Sequence, residues 1–311
     1  MTPLRWMPYP LLIACSDEPI DAYGVQVLDE AQLRADVEFL ASPKLDGRYP
    51  GSAGDESARS LVESRFESAG LLPQWKLDSY QQPFVDDDGN DTANVLAILP
   101  GADNEVGHEI VVLSAHTDHL GDGYLGANDN ASGVAALLSI AEIMAENPAP
   151  RRTVVFAAFG AEESGYEGSR HFLNHPPAEL DPTDIVYNVN LDMIGTYDQT
   201  EIVWALGTLA GTPAKEMVKQ LRGDYPSLDV GIAEPSDLSD NATFCEAGIP
   251  YVFFWTDDPD CYHKRCDTAD RLDYSSMAEI TALTLSLTAA LAGTTEDLAA
   301  GVQPGMDVCG I

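Results

Sequence analysis

Residues 109–118 read Glu-Ile-Val-Val-Leu-Ser-Ala-His-Thr-Asp. The apolar run at 109–115 is rich in Val and Ile and too short for a buried helix, so it is predicted to be a buried strand. The run delivers His116 to its end, with Asp118 two residues on. The same pattern recurs downstream. Residues 153–159 form a second buried strand followed by Gly160-Ala161-Glu162-Glu163. Residues 185–191 form a third that runs straight into Asp192, and a strand at 249–255 precedes the loop carrying His263. Helical spacing of apolar residues marks 30–40, 56–69, 132–145, about 165–173, 213–221 and 275–291, with further strands at 93–99 and 201–206. Residues 42–51 have loop chemistry. Strands alternating with helices predict an α/β fold: a three-layer α/β/α sandwich with a mostly parallel mixed central sheet. Ligands in such sheets bind outside the carboxyl ends of the strands, where these polar residues fall.

The chain has 311 residues, 45% hydrophobic and 22% charged, enough for one sizeable core. Acidic residues number 51 against 16 Lys plus Arg, a formal net charge of -35. That field repels nucleic acid and gathers metal cations and cationic peptide termini. Most of it is read as surface hydration. Leu12-Ile13-Ala14-Cys15 resembles a bacterial lipobox behind Arg5, although Pro8 and Pro10 interrupt the apolar stretch. The segment is too short to span a membrane. The expected organisation is a signal segment at 1–15, a tether at 16–28, one α/β domain at 29–295 and a tail at 296–311. Lipid on Cys15 would hold an exported protein at the cell surface or in the periplasm; an ordinary N-terminus with a chance Cys is the alternative. Four Cys then remain, which permits disulfides in three connectivities. Cys261 and Cys266, bracketing His263, are the first pair expected, with free thiols as the alternative. Their spacing is not that of a zinc finger.

Five short motifs carry the chemistry. A strand-end His such as His116 is more often a capped surface residue, but Asp118 is placed to fix its tautomer. Gly126-Ala127-Asn128-Asp129-Asn130-Ala131-Ser132-Gly133 precedes a helix, and capping by Asn130 or Ser132 accounts for only part of its polarity. Glu162 and Glu163 fit either a helix N-terminus enriched in acids or a site in which one carboxylate faces a metal and the other a water. Asp192 is costly to bury unless paired or metal-bound. His263 alone would be an exposed loop residue. Together, two His and three carboxylates form an N/O ligand set suited to zinc or a similar divalent ion. One bridging carboxylate, with a His and a carboxylate at each end, makes a two-metal site, and the spare Glu becomes a general base. His108, His119, His171 and His175 lack such motifs and are read as surface residues.

These motifs, in this order, resemble the zinc aminopeptidases of peptidase family M28, which include bacterial leucyl aminopeptidase and aminopeptidases S and Y. Leu45-Asp46-Gly47-Arg48, Gly51-Ser52 and Ala69-Gly70-Leu71 also resemble the family's entry region. The likeness runs from about residue 40 to the helix at 275 and implies the zinc-peptidase fold, of the phosphorylase/hydrolase type. It also implies a set of roles. His116 and Asp192 would hold one Zn2+, Glu163 and His263 a second, and Asp129 would bridge them. Asp118 would orient His116, and Glu162 would be the base. The peptide bond before Asp129 is expected to be unusual. Asn241 stands where a common family form has His. The implied substrates are peptides with a free N-terminus, cleaved by a monomer. Phe244, Tyr251, Phe254, Trp255 and Tyr262 could line a side-chain pocket, with core packing the expected fate of most. Cobalt or manganese could replace zinc. A glutaminyl cyclase or carboxypeptidase on the same fold, or a non-catalytic binding lipoprotein, are the alternatives.

Overall fold

Eight strands form one mixed sheet in the order β1-β2-β4-β3-β5-β8-β6-β7. They are β1 (Gln81–Val85), β2 (Asp91–Leu99), β3 (Ile110–His116), β4 (Thr153–Phe159), β5 (Ile185–Leu191), β6 (Val203–Leu206), β7 (Val230–Ala233) and β8 (Tyr251–Trp255). The central run β4-β3-β5-β8 is parallel. The pairings β1–β2, β2–β4 and β6–β8 are antiparallel, while β6–β7 is parallel. Every residue of β3 and β4 is buried, as a parallel sheet covered on both faces requires. The computed structural model describes residues 28–74, 79–177, 180–208, 212–233 and 235–300. The lipobox with Cys15, the tether up to residue 27 and the tail from residue 301 lie outside the described residues.

Helices α1 (Glu30–Leu40), α2 (Ala53–Ser68), α3 (Gly133–Glu146), α6 (Pro213–Leu221) and α8 (Tyr274–Gly293) pack together over one face. On the other face, α4 (Glu167–Asn174) and α7 (Asn241–Glu246) bury Phe172 and Phe244 against Phe159. A short α5 (Tyr197–Thr200) follows β5. By length and composition α8 could cross a membrane, yet 78% of its apolar window is buried inside the protein. It is the core helix of this layer, apolar on nearly every side because α1, α3, α6 and the sheet surround it. Its buried Thr281 and Thr284 hydroxyls donate to carbonyls one turn back, which satisfies them without a partner outside the helix.

Two arginines tie the layers. Arg65 on α2 bonds Asp36 on α1 at 2.6 Å and Glu142 on α3 at 2.8 Å. Arg152, fully buried at the start of β4, bonds Glu109 at 2.7 Å and the carbonyls of Leu291 and Thr294 at the end of α8. The strands at 153–159 and 185–191 and the helices at 30–40 and 213–221 lie where the apolar spacing puts them. β1, β7, α5 and α7 escape that reading. β1 is Gln-Gln-Pro-Phe-Val on the sheet edge, where Pro83 sacrifices no ladder bond in the interior. β7, α5 and α7 are too short for a period to register.

Phe156 on β4 is fully buried, its ring 6.3 Å from Phe66 on α2. Phe156→Ala is expected to cost about 3–5 kcal/mol of stability, read as a lower midpoint in urea unfolding.

Candidate metal centre

Adjacent parallel strands carry their C-terminal residues to one rim of the sheet, about 4.8 Å apart. β3 ends in His116, β4 is followed by Glu162 and Glu163, and β5 by Asp192. The loop after β8 brings His263, inside a ring closed by the Cys261–Cys266 disulfide with Cα atoms 5.4 Å apart. Asp129 arrives from the turn before α3, where Asp129 and Asn130 leave helical geometry. The Asp129–Asn130 peptide bond is cis, so the unusual bond follows Asp129 instead of preceding it.

All five residues of the expected ligand set meet. His116 Nε2 lies 3.3 Å from Asp129 Oδ1 and 3.4 Å from Asp192 Oδ1. His263 Nε2 lies 3.1 Å from Asp129 Oδ2 and 3.1 Å from Glu163 Oε2. Each oxygen of Asp129 therefore serves a different His–carboxylate pair. His116 Nε2, Asp129 Oδ2 and Asp192 Oδ1 are buried without a hydrogen-bond partner among the described residues. Such orphaned atoms are costly unless a cation takes them up, so the donor set fits divalent ions. Among the described residues, the ligand atoms of His116, Glu162 and Asp192, and those of His119, Asp129 and Glu163, each lie within 4.8 Å of one another, close enough to hold an ion. Asp129 Oδ1 stands nearer His116 than Glu162 does, which is 4.0 Å away. His263 touches both Asp129 and Glu163. Sharing Asp129 between the two groups thus leaves Glu162 spare.

His119 is the correction to the sequence reading. It is fully buried, and its Nδ1 lies 2.6 Å from Glu163 Oε1. Glu163 is thereby gripped by His119 at one oxygen and by His263 at the other. A buried His one residue past Asp118 had no periodicity to announce it, because the strand had already ended. His108 and His175 are exposed and His171 is half-buried. Asp118 also does more than expected. His116 Nδ1 lies 3.2 Å from the Asp118 carbonyl and 3.7 Å from its carboxylate. The carboxylate accepts the amides of Glu162 at 3.0 Å and Glu163 at 3.2 Å, fixing the turn that presents both acids. A proton on Nδ1, donated to the carbonyl, leaves the Nε2 lone pair facing the cluster.

The polar residues around Asp129 have separate tasks. Asp267 accepts the amides of Asn128 at 2.7 Å and Asp129 at 3.1 Å. Asn130 caps α3 through Gly133 N at 2.9 Å and donates to the Leu191 carbonyl at 2.9 Å. Asn128 and Ser132 accept from Gly195 and Ile194, just beyond Asp192. The turn that carries Asp129 is thus stitched to the exit of β5. Burial raises Asp129's pKa, but the imidazoles of His116, His263 and His119 beside it more than offset this and hold it below the carboxylate range. Glu162 is pushed well above it, by burial first and then by Asp192, Asp240 and Glu163, against the pull of His116. Asp240, fully buried and raised to about 7 by its burial, is a further carboxylate that the sequence did not single out. His263 rises to about 10 because the carboxylates of Asp129 and Glu163 stand against its Nε2.

The cleft over this centre is walled by Met193, Leu238, Phe253, Trp255 and Tyr262. Of the aromatic candidates, Trp255 and Tyr262 line it, while Phe244, Tyr251 and Phe254 are core. Asn241 is buried with its amide on the Ser236 carbonyl at 2.5 Å, off the cleft wall.

Behind the centre sits Arg48, from the loop between α1 and α2. It is fully buried and donates to the carbonyls of Leu40, Thr117 and Leu125 at 2.7 Å and of Gly126 at 2.9 Å. Burial lowers its pKa to about 10, against support from Asp267 and Asp118. Arg48→Met would strand four carbonyls. It is expected to lower stability by about 3 kcal/mol or more, measured by urea unfolding of the metal-free protein.

The sequence pattern of peptidase family M28 matches residues 94–288. The chain is similar to aminopeptidase YwaD of Bacillus subtilis, 33% identical over 177 residues that cover 53% of this chain and 37% of that protein. The leupeptin-inactivating enzyme 1 of Streptomyces exfoliatus is 26% identical, over 76% of this chain and 56% of its own length, so these curated relatives are substantially longer. Among solved structures, BSAP, a zinc aminopeptidase from Bacillus subtilis, superposes with a TM-score of 0.72 at 17% identity, over 88% of this chain and 100% of that one. Glutaminyl cyclase from Porphyromonas gingivalis superposes with a TM-score of 0.69 at 17% identity, over 85% and 98%. At such identity the two structures speak for the shared fold; the match over residues 94–288 goes further, and the chain belongs to peptidase family M28.

Proposed function

We propose that this protein is a two-zinc aminopeptidase that removes residues from the N-terminus of peptides. The observation that carries the reading is Asp129, whose two oxygens face two different His–carboxylate pairs. His116 and Asp192 would hold one ion and His263 and Glu163 the other, with Asp129 between them. Divalent ions held there supply Lewis acidity toward a scissile carbonyl and toward water. The remaining work falls to the chain. Glu162 lines the cleft, is not needed as a ligand, and has a raised proton affinity. It is suited to take a proton from water at its carboxylate and deliver it to the leaving amine. Asp118 keeps Glu162 in place through the main chain. The acidic floor of Asp129, Glu163 and Asp192 suits a free α-amino group, which makes the enzyme an exopeptidase. The apolar walls exclude bulk water and strengthen each of these charge interactions.

Export, with lipid at Cys15, belongs to the same proposal. It is supported by the Leu12–Cys15 pattern and by the Cys261–Cys266 disulfide, a bond that persists in oxidising compartments. The glutaminyl cyclase neighbour keeps a second chemistry on this fold in view. The doubled His–carboxylate arrangement and the spare Glu162 favour hydrolysis with two ions. A binding protein that had lost its chemistry would be expected to lack ligands or base, and the gathering of His116, Asp129, Glu162, Glu163, Asp192 and His263 argues against that reading.

Elemental analysis of the purified protein is expected to give close to two zinc ions per chain. Aminoacyl p-nitroanilides with a free amino terminus should be cleaved, N-blocked ones spared, and chelation should abolish turnover. Glu162→Gln is expected to lower kcat by about 10²–10⁴-fold with metal content retained. Unchanged turnover in that variant would remove Glu162 from its role, and one ion per chain with indifference to the free amine would overturn the reading.

A further inference from the structure

Five carboxylates line the cleft, and four of them, Asp129, Glu162, Glu163 and Asp192, belong to the cluster already described. The fifth is Asp257, which has no part in it. We infer that Asp257 forms a subsite for a cationic side chain, so that the enzyme favours peptides whose N-terminal residue is Lys or Arg; the inference rests on the aminopeptidase reading.

Side chains alternate along a strand, so Phe253 and Trp255 of β8 share a face. Both line the cleft, with ring centroids 6.5 Å apart. Asp257 lies two residues beyond Trp255, past the end of β8, and also lines the cleft. The row therefore runs from an aromatic wall to a single carboxylate. Met193, Leu238 and Tyr262 complete the apolar walls. A Lys or Arg side chain has the matching order: methylenes that cover apolar surface, then a charged head. The indole of Trp255 adds an aromatic face for that cation. An uncharged residue of the same length would use the walls and leave Asp257 without a partner.

Asp257 is held for this purpose. Its backbone sits at φ 60°. Its Oδ1 accepts the Asp258 amide at 2.8 Å, and its carbonyl accepts the Thr196 hydroxyl at 2.5 Å. Arg271 is engaged by the adjacent Asp258 at 2.8 Å. Among the described residues no Lys or Arg forms an ion pair with Asp257.

Asn is the substitution that isolates the charge. It tolerates a left-handed backbone better than other non-glycine residues and keeps an oxygen for the Asp258 amide. The experiment compares kcat/KM of the zinc-loaded full chain on the p-nitroanilides of Lys and norleucine, of Arg and citrulline, and of Leu. Inhibition constants for L-lysinamide and L-norleucinamide provide a binding readout. The wild type is expected to prefer each cationic member of a pair. Asp257→Asn should lower the Lys:norleucine ratio by up to about fivefold, as loss of a partly exposed ion pair predicts, and weaken lysinamide more than norleucinamide, with the Leu substrate affected no more than norleucine and the melting temperature unchanged. An unchanged ratio would overturn the subsite. An equal fall on every substrate would also overturn it, since Asp257 would then serve the α-amino group or the loop. No cleavage of any unblocked substrate by the wild type would defeat the aminopeptidase reading itself, a result distinct from cleavage without a cationic preference.

Discussion

The carboxylate of Asp129 faces His116 through one oxygen and His263 through the other, while Asp192 and Glu163 approach the same two imidazole nitrogens. So many acids cannot be packed this closely, at this depth, without cations to offset their repulsion and desolvation. Imidazoles supply part of that compensation, and divalent ions are suited to supply the rest. The surrounding chain is organised to hold this acidic knot in one geometry.

Three devices do so from three directions. Asp267 takes the amides of Asn128 and Asp129, so Asp129 is aimed through its own backbone. Asp118 takes the amides of Glu162 and Glu163, coupling the acids after β4 to the loop after β3. Arg48 gathers four carbonyls from α1 and from the loop between His116 and Asp129. It brings a positive charge behind the cluster without an ion pair that would withdraw a ligand. His119 belongs to the same scaffold, since it occupies the Glu163 oxygen that His263 does not.

The fold class and most of its elements were legible along the chain, because β3, β4, β5 and α8 are buried on nearly all sides and are therefore predominantly apolar. What could not be read were elements with no such obligation. β1 and β7 lie on the two edges of the sheet, where β1 tolerates Pro83, and α5 and α7 are too short for a helical period to repeat. The candidate ligands His116, Asp129, Glu163, Asp192 and His263 were found because each follows a strand end or opens a helix, where a buried charge calls for a reason. His119 was misread because its burial is imposed by Glu163 and by the turn at Gly126, which lie at a distance in sequence.

The sequence by itself determined the apolar segments that become the parallel sheet, the acids and imidazoles at their ends, and the cysteine pair around His263. Local patterning suffices for these, since strand burial and residue type are written residue by residue. Only the tertiary structure decided which oxygen of Asp129 faces which imidazole, that Asp118 holds backbone amides more closely than it holds His116, and that Phe253, Trp255 and Asp257 form one wall of the cleft. Those outcomes depend on strand order and register. The sheet places β4 and β5 on either side of β3 and β8 beyond β5, a neighbourhood fixed by the packing of the whole core and absent from any single stretch of the chain.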